Sequence, residues 1–197
     1  HPELYENNCP DFTDFFKDID DEILFILSGS GYISAASLRI LYYLKDKKIN
    51  ILYIEPDTEF LSETKKLMEY SSFHILQEYA RSGVFNKIFL MKNSNLVNII
   101  GDLPITGYYD SINQYIAPIV HMINVFDNSS PVMTTLHRTS PTSRICTIGI
   151  INISTGEEQL FFPLELIKEK QYYYAINEEN LKTDGTLLSR IKKQIKK

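Results

Sequence analysis

Short unbroken apolar runs alternate along the chain with stretches of helical spacing. Residues 23–27 are five apolar residues in a row, the pattern of a strand buried on both faces of a parallel sheet. Ser28, Gly29, Ser30 and Gly31 follow, residues that tolerate positive φ and let backbone pass close to a neighbour. Ile33, Ala36, Leu38, Ile40, Leu41 and Leu44 then give the spacing of an amphipathic helix. The pattern repeats with a strand over 49–54, ended by Glu55-Pro56, and a helix from about 58 or 62 to 82. The apolar side of that helix is read as Leu61, Leu67, Phe73, Leu76 and Ala80, with Gly83 as its C-cap. A third strand over 87–91 leads through a turn at 92–95 to a short helix over 96–100. Three strand–helix units in succession predict a right-handed, mostly parallel α/β sheet.

Further on, a long helix is expected over about 105–125, with Ile112, Ile116, Ile119, Val120 and Ile123 on one side and Pro118 inside it. Residues 133–144 read as loop. From Ile145 the period changes to two: 145–153 and 159–162, joined by a Ser154-Thr155-Gly156-Glu157 turn, predict a β-hairpin. A third strand over 171–176 carries Tyr172, Tyr173 and Tyr174, and a last helix over 187–197 sets Leu188, Ile191 and Ile195 on one side. The expected organisation is an α/β domain over 1–130 followed by a small α+β lobe over 131–197. The chain opens at His1 without an initiating Met, on a short helical stretch before a strand of central character. The expectation is of an upstream segment that was removed or never included.

Composition narrows the classes. The chain has 197 residues, 44% apolar and 23% charged, as in globular proteins, and a formal net charge of −5 argues against a general nucleic-acid binder. The basic residues from 190 to 197 read as the solvated face of the last helix. Cys9 and Cys146 lie far apart in no metal spacing, so free thiols in a reducing compartment are the default and a cytoplasmic location is expected. No apolar run has the length of a membrane span. Glu55 and Glu59 read as the solvated ends of a strand and a helix, and His74 and His121 as packing or surface histidines, with no catalytic triad or metal site in view.

The strand–turn–helix unit with a Ser28-Gly29-Ser30-Gly31 turn, Asn93 directly after a strand, and Tyr109-Asp110-Ser111-Ile112-Asn113 at the start of the long helix together resemble the tubulin/FtsZ family of polymerising GTPases. The likeness covers about residues 20–150. It implies a parallel three-layer nucleotide-binding domain lacking its N-terminal strand or strands, with GTP or GDP as ligand. It also implies phosphates at Ser28, Gly29, Ser30 and Gly31, guanine at Asn93, and Tyr109 stacked on the base while Asn113 bonds its edge. Positions i and i+4 share a helix face, so Tyr109 and Asn113 can grip one planar ring. Asp127 is the only acid between Asp110 and Glu157. Hydrolysis needs an acid that polarises water, so the reading leans away from an enzyme. Partners expected on this basis are a second copy or another assembly protein, with no nucleic acid and no membrane. Two other classes remain: a structural or interaction protein that kept the fold and lost the nucleotide, such as a bacteriophage assembly or virion component, and an unrelated α/β domain for a different nucleotide.

Overall fold

A computed structural model of the chain describes residues 2–19, 22–133 and 140–195. Contacts divide the chain into two compact units: His1–Asp102 with Ser140–Ile148 and Phe161–Leu164, and Leu103–Thr139 with Gly149–Leu160 and Glu165–Lys197.

The first unit is built on four parallel strands in the order β1 (Ile23–Ser28), β2 (Ile49–Glu55), β3 (Lys87–Lys92), β4 (Ile145–Thr147). Register is continuous, with Leu27 beside Tyr53 and Tyr53 beside Leu90. Six of the seven residues of β2 are buried, as a strand with neighbours on both sides and covered faces should be. Helices α1 (Pro2–Asn7), α2 (Thr13–Phe16), α3 (Tyr32–Ala35), α4 (Ser37–Tyr43), α5 (Glu63–Ser82) and α6 (Asn93–Ile100) accompany the sheet. Leu27, Ile51, Tyr53, Ile88 and Leu90 pack with Leu41 of α4, and with Leu76 and Ala80 of α5, in one apolar core. This is an α/β unit with a parallel sheet flanked by helices, compatible with a Rossmann-like layered fold.

The three expected parallel strands are present, and Gly83 closes α5 in the left-handed region at φ +83°. Several expectations need correction. The helix expected over 33–44 is two pieces, because the Ala36 N–H bonds to the Ile33 carbonyl, an i−3 bond that tightens the turn. Leu67 is exposed; it lies nine positions before Leu76, about two and a half turns away and so on the opposite side of α5. The expected turn at 92–95 is absent: β3 runs through Lys92, and α6 begins at once with Asn93.

The expected hairpin is shorter than its alternation suggested. Ile145, Cys146 and Thr147 pair in parallel with β3 as the fourth strand of the main sheet, and Ile145 packs against its core. Only β5 (Gly149–Ile151) and β6 (Glu158–Leu160) form the antiparallel pair. A period of two suits either partner, so the sequence alone does not separate the two strands. Thr147 marks the end of β4: its hydroxyl donates to the Phe162 carbonyl at 2.8 Å and accepts from the Phe162 N–H at 3.2 Å. We expect Thr147→Val to lower unfolding free energy by about 1–2 kcal/mol, since both backbone groups of Phe162 lose this partner; urea denaturation measures it.

The second unit contains α7 (Tyr108–Asn128), the β5–β6 hairpin, α8 (Glu178–Thr183) and α9 (Leu187–Ile195). The long helix starts three residues later than expected, after Gly107 at φ +78°, and continues through Asp127 and Asn128. Residues 171–176 form no strand. Their tyrosines are held by side-chain contacts instead of ladder bonds: Tyr172 donates to Glu158 Oε1 at 2.5 Å, Tyr174 donates to Gln194 Oε1 at 3.0 Å, and Tyr173 stacks on Phe126 with ring centres 4.4 Å apart. Gln194 also donates to the carbonyls of Asn152 and Ile153, which is why α9 buries Leu187 and Gln194 and leaves Leu188 and Ile195 more exposed than expected. Residues 134–139 of the expected loop, and 196–197 of the expected last helix, lie outside the described residues. Among the described residues no helix is long and apolar enough to cross a membrane.

Candidate functional site

Parallel α/β sheets present their carboxyl strand ends along one edge, where ligands of such folds bind. In the first unit this edge holds the 28–31 turn after β1, Glu55 and Pro56 after β2, and Lys92 and Asn93 at the end of β3.

The glycine turn has a packing explanation. A Cβ on Gly29 would lie 2.4 Å from the Tyr53 hydroxyl, 2.9 Å from Cγ of Glu69 and 3.0 Å from Cδ of Pro56. Glycine is required there for close approach, and the positive φ of the turn falls on Ser30, at +62°. Gly31 is extended, and α3 behind it has only four residues, so the aligned peptide dipole facing the turn is short.

Beneath the turn lies a polar pair that the sequence reading passed over. Tyr53 is fully buried and donates its hydroxyl to Oε1 of the buried Glu69 at 2.8 Å. Burial holds the Glu69 carboxyl above the usual glutamate range, the Tyr53 hydrogen bond and Lys92 opposing the shift and Glu55 adding to it. Burial, with the Glu69 charge, likewise pushes the Tyr53 hydroxyl far up. The signal was a carboxylate in an apolar stripe, since Glu69, Phe73, Leu76 and Ala80 recur at helical spacing. Glu55 is not a solvated strand end: it is buried beside its register partner Lys92 and ion-paired with it.

Asn93 stands at the other side of this edge, 8% exposed. Among the described residues its Oδ1 is the one buried side-chain polar atom without a hydrogen-bond partner. Buried acceptors in folded proteins nearly always have a donor, so this atom calls for an explanation. Lys92 ends β3 in an extended conformation and Asn93 opens α6, which fixes the side chain at the strand–helix junction.

The structure thus brings Ser28, Gly29, Ser30, Gly31 and Asn93 to one edge of one sheet. Tyr109 and Asn113 belong to the second unit, on α7, where both are exposed on one helix face and Tyr109 meets Tyr108 edge-on with ring centres 5.3 Å apart. His74 is exposed and stacks on Tyr70; His121 is exposed. Asp127 lies exposed in the last turn of α7. Among the described residues no group of three or more His, Cys, Asp and Glu side chains is placed to hold a metal ion. Comparison with protein-family models, curated proteins and solved structures finds no match to the chain.

Proposed function

We propose that the chain carries a tubulin/FtsZ-like nucleotide-binding domain of an assembly protein, with a guanine nucleotide at the carboxyl edge of its sheet and hydrolysis slow or absent. The unpartnered Oδ1 of buried Asn93 carries the proposal. A bound base supplies the missing donor, and guanine offers adjacent ring and exocyclic N–H groups on one edge. The 28–31 turn is two strands away on the same edge, roughly 10 Å at ordinary strand spacing, about the reach of a nucleotide from base to phosphates. In this reading it takes the phosphate end. The lone Asp127 supports the absence of efficient hydrolysis, because one exposed acid in an Asn/Ser stretch is a poor water-polarising group.

A second reading has its own observation. The close contacts of Gly29 with Tyr53 and Glu69 explain the glycine without any ligand, which favours a structural or interaction protein, such as a phage assembly or virion component, that kept the fold and lost the nucleotide. Calorimetric titration of the full chain with GTP and then ATP separates the two. The proposal expects saturable GTP binding with a preference over ATP. Heats indistinguishable from dilution for both nucleotides leave the structural reading in place.

A further inference from the structure

The outward side of α5 carries large apolar groups where a solvated helix face is expected. Leu67 is 66% and Tyr70 68% exposed; Phe60, just before the helix, is 87% exposed, and Val84, just after it, 48%. Tyr70 and His74 stack with ring centres 6.4 Å apart and planes nearly parallel. Glu63, Leu67, Tyr70, His74, Gln77 and Arg81 follow one another at intervals of 4, 3, 4, 3 and 4, which keeps one seam facing a partner helix over the whole of α5.

The seam is complementary to itself when reversed. Each end of α5 carries an acid–base pair: Glu63 with Lys66 at 2.9 Å near the start, and Glu78 with Arg81 near the end. Laid antiparallel on a copy of itself and centred at the height of Ser72, the helix sets Glu63 against Arg81 and Tyr70 against His74 along the seam, and brings the Phe60 end of one copy to the Val84 end of the other. Laid parallel in register, it sets each charge against its like. Charge therefore selects the antiparallel register, and each end of the seam gains opposite-sign neighbours. With four large apolar groups exposed along it, the face is small beside the roughly 800 Å² that each partner gives to a stable interface, which fits a reversible pairing.

From this complementarity we infer that α5 is a self-association surface through which two copies of the chain pair about a two-fold axis at Ser72, as a reversible dimer. The contact is isologous and closes on itself. It uses only residues of the first unit and does not depend on nucleotide binding.

Sedimentation velocity of the full chain over a concentration series tests it, with Glu63→Arg and Arg81→Glu as paired variants. Both positions are on the seam's exposed side, and circular dichroism and thermal melting confirm that each variant is folded. The wild-type chain should dimerise reversibly. Each variant alone brings like charges together at both ends of the seam, and its dissociation constant should rise about tenfold or more. An equal mixture of the two variants restores opposite charges at both ends and should recover dimer as a heterodimer. A wild-type chain that stays monomeric at high micromolar concentration overturns the inference. So do variants that self-associate like wild type, or a mixture that fails to recover the dimer.

Discussion

Gly29→Ala should lower the unfolding free energy by about 3 kcal/mol. That is a large part of the 5–15 kcal/mol of an ordinary domain. The added methyl would sit 2.4 Å from the Tyr53 hydroxyl and 2.9 Å from Cγ of Glu69. Neither atom is the free end of a surface chain: the Tyr53 ring is fully buried and stacks on Phe73 with ring centres 4.9 Å apart, and the Glu69 carboxyl is fixed by the tyrosine. Relief therefore requires the turn to move off β2 or the Tyr53–Glu69 bond to break. Overpacking of this kind costs about 1–3 kcal/mol, and a broken buried hydrogen bond adds about 1–3 kcal/mol. Tyr53→Phe removes the nearest clashing atom. It should destabilise the wild-type background, where Glu69 loses its donor, and be neutral or stabilising in the Gly29→Ala background. A double-mutant cycle by urea denaturation measures this coupling.

Glu69→Gln should remove a loss of stability that the wild-type protein suffers as pH rises from acid toward neutral. The folded-state pKa of Glu69 is raised, chiefly by burial. A carboxyl raised in the folded state contributes its full stability below its unfolded value, about 4.3, and loses it as pH climbs through the folded value. The slope from one such group approaches about 1.4 kcal/mol per pH unit. Glutamine keeps an acceptor for Tyr53 and cannot ionise. The variant should therefore match the wild type at acid pH and exceed it at neutral pH. Asp11, Glu158 and Asp184 are shifted the other way, held low by hydrogen bonds from Thr13, from Lys170 and Tyr172, and from Thr186 respectively. Their contributions are lost as pH falls below the ordinary carboxylate range, so they leave the window above it to Glu69. Parallel stability–pH curves for wild type and variant would show that Glu69 is not the group responsible.

What was legible in the sequence follows from how each element is held. The strands at 23–28, 49–55 and 87–92 could be read from their nearly unbroken apolar runs; β2 and β3 have neighbours on both sides, whereas β1 is the edge strand and exposes Ile26, so its run overstated its burial. Ile145–Thr147 could not be assigned to the main sheet because alternation records a half-buried strand and not its partner. The Tyr172–Tyr174 stretch has the composition of a strand, yet hydroxyl bonds to Glu158 and Gln194 fix it, and those partners are distant in sequence. At the candidate site, the 28–31 turn and the strand-end position of Asn93 were visible as local patterns. The Tyr53–Glu69 pair behind the turn was not, because the hydroxyl and the carboxylate meet only when α5 packs across β2. The need for glycine at position 29 likewise comes from that tertiary contact and not from backbone dihedrals, since the positive φ falls on Ser30.

On the proposed reading, Asn93 keeps an unpaired acceptor on the sheet edge because a ligand completes it. Unfolding free energies of wild type and Asn93→Leu, each measured without nucleotide and with GTP in large excess, test it most directly. Leucine has nearly the shape of asparagine and removes the unpaired oxygen, so the ligand-free variant should be as stable as wild type or more stable by about 1 kcal/mol. GTP should stabilise the wild type, by about 2.7 kcal/mol at a hundredfold excess over its dissociation constant, and leave Asn93→Leu unchanged. A variant destabilised by about 2 kcal/mol without ligand, together with a wild type that GTP does not stabilise, would contradict the claim and make Asn93 a structural residue of the β3–α6 junction.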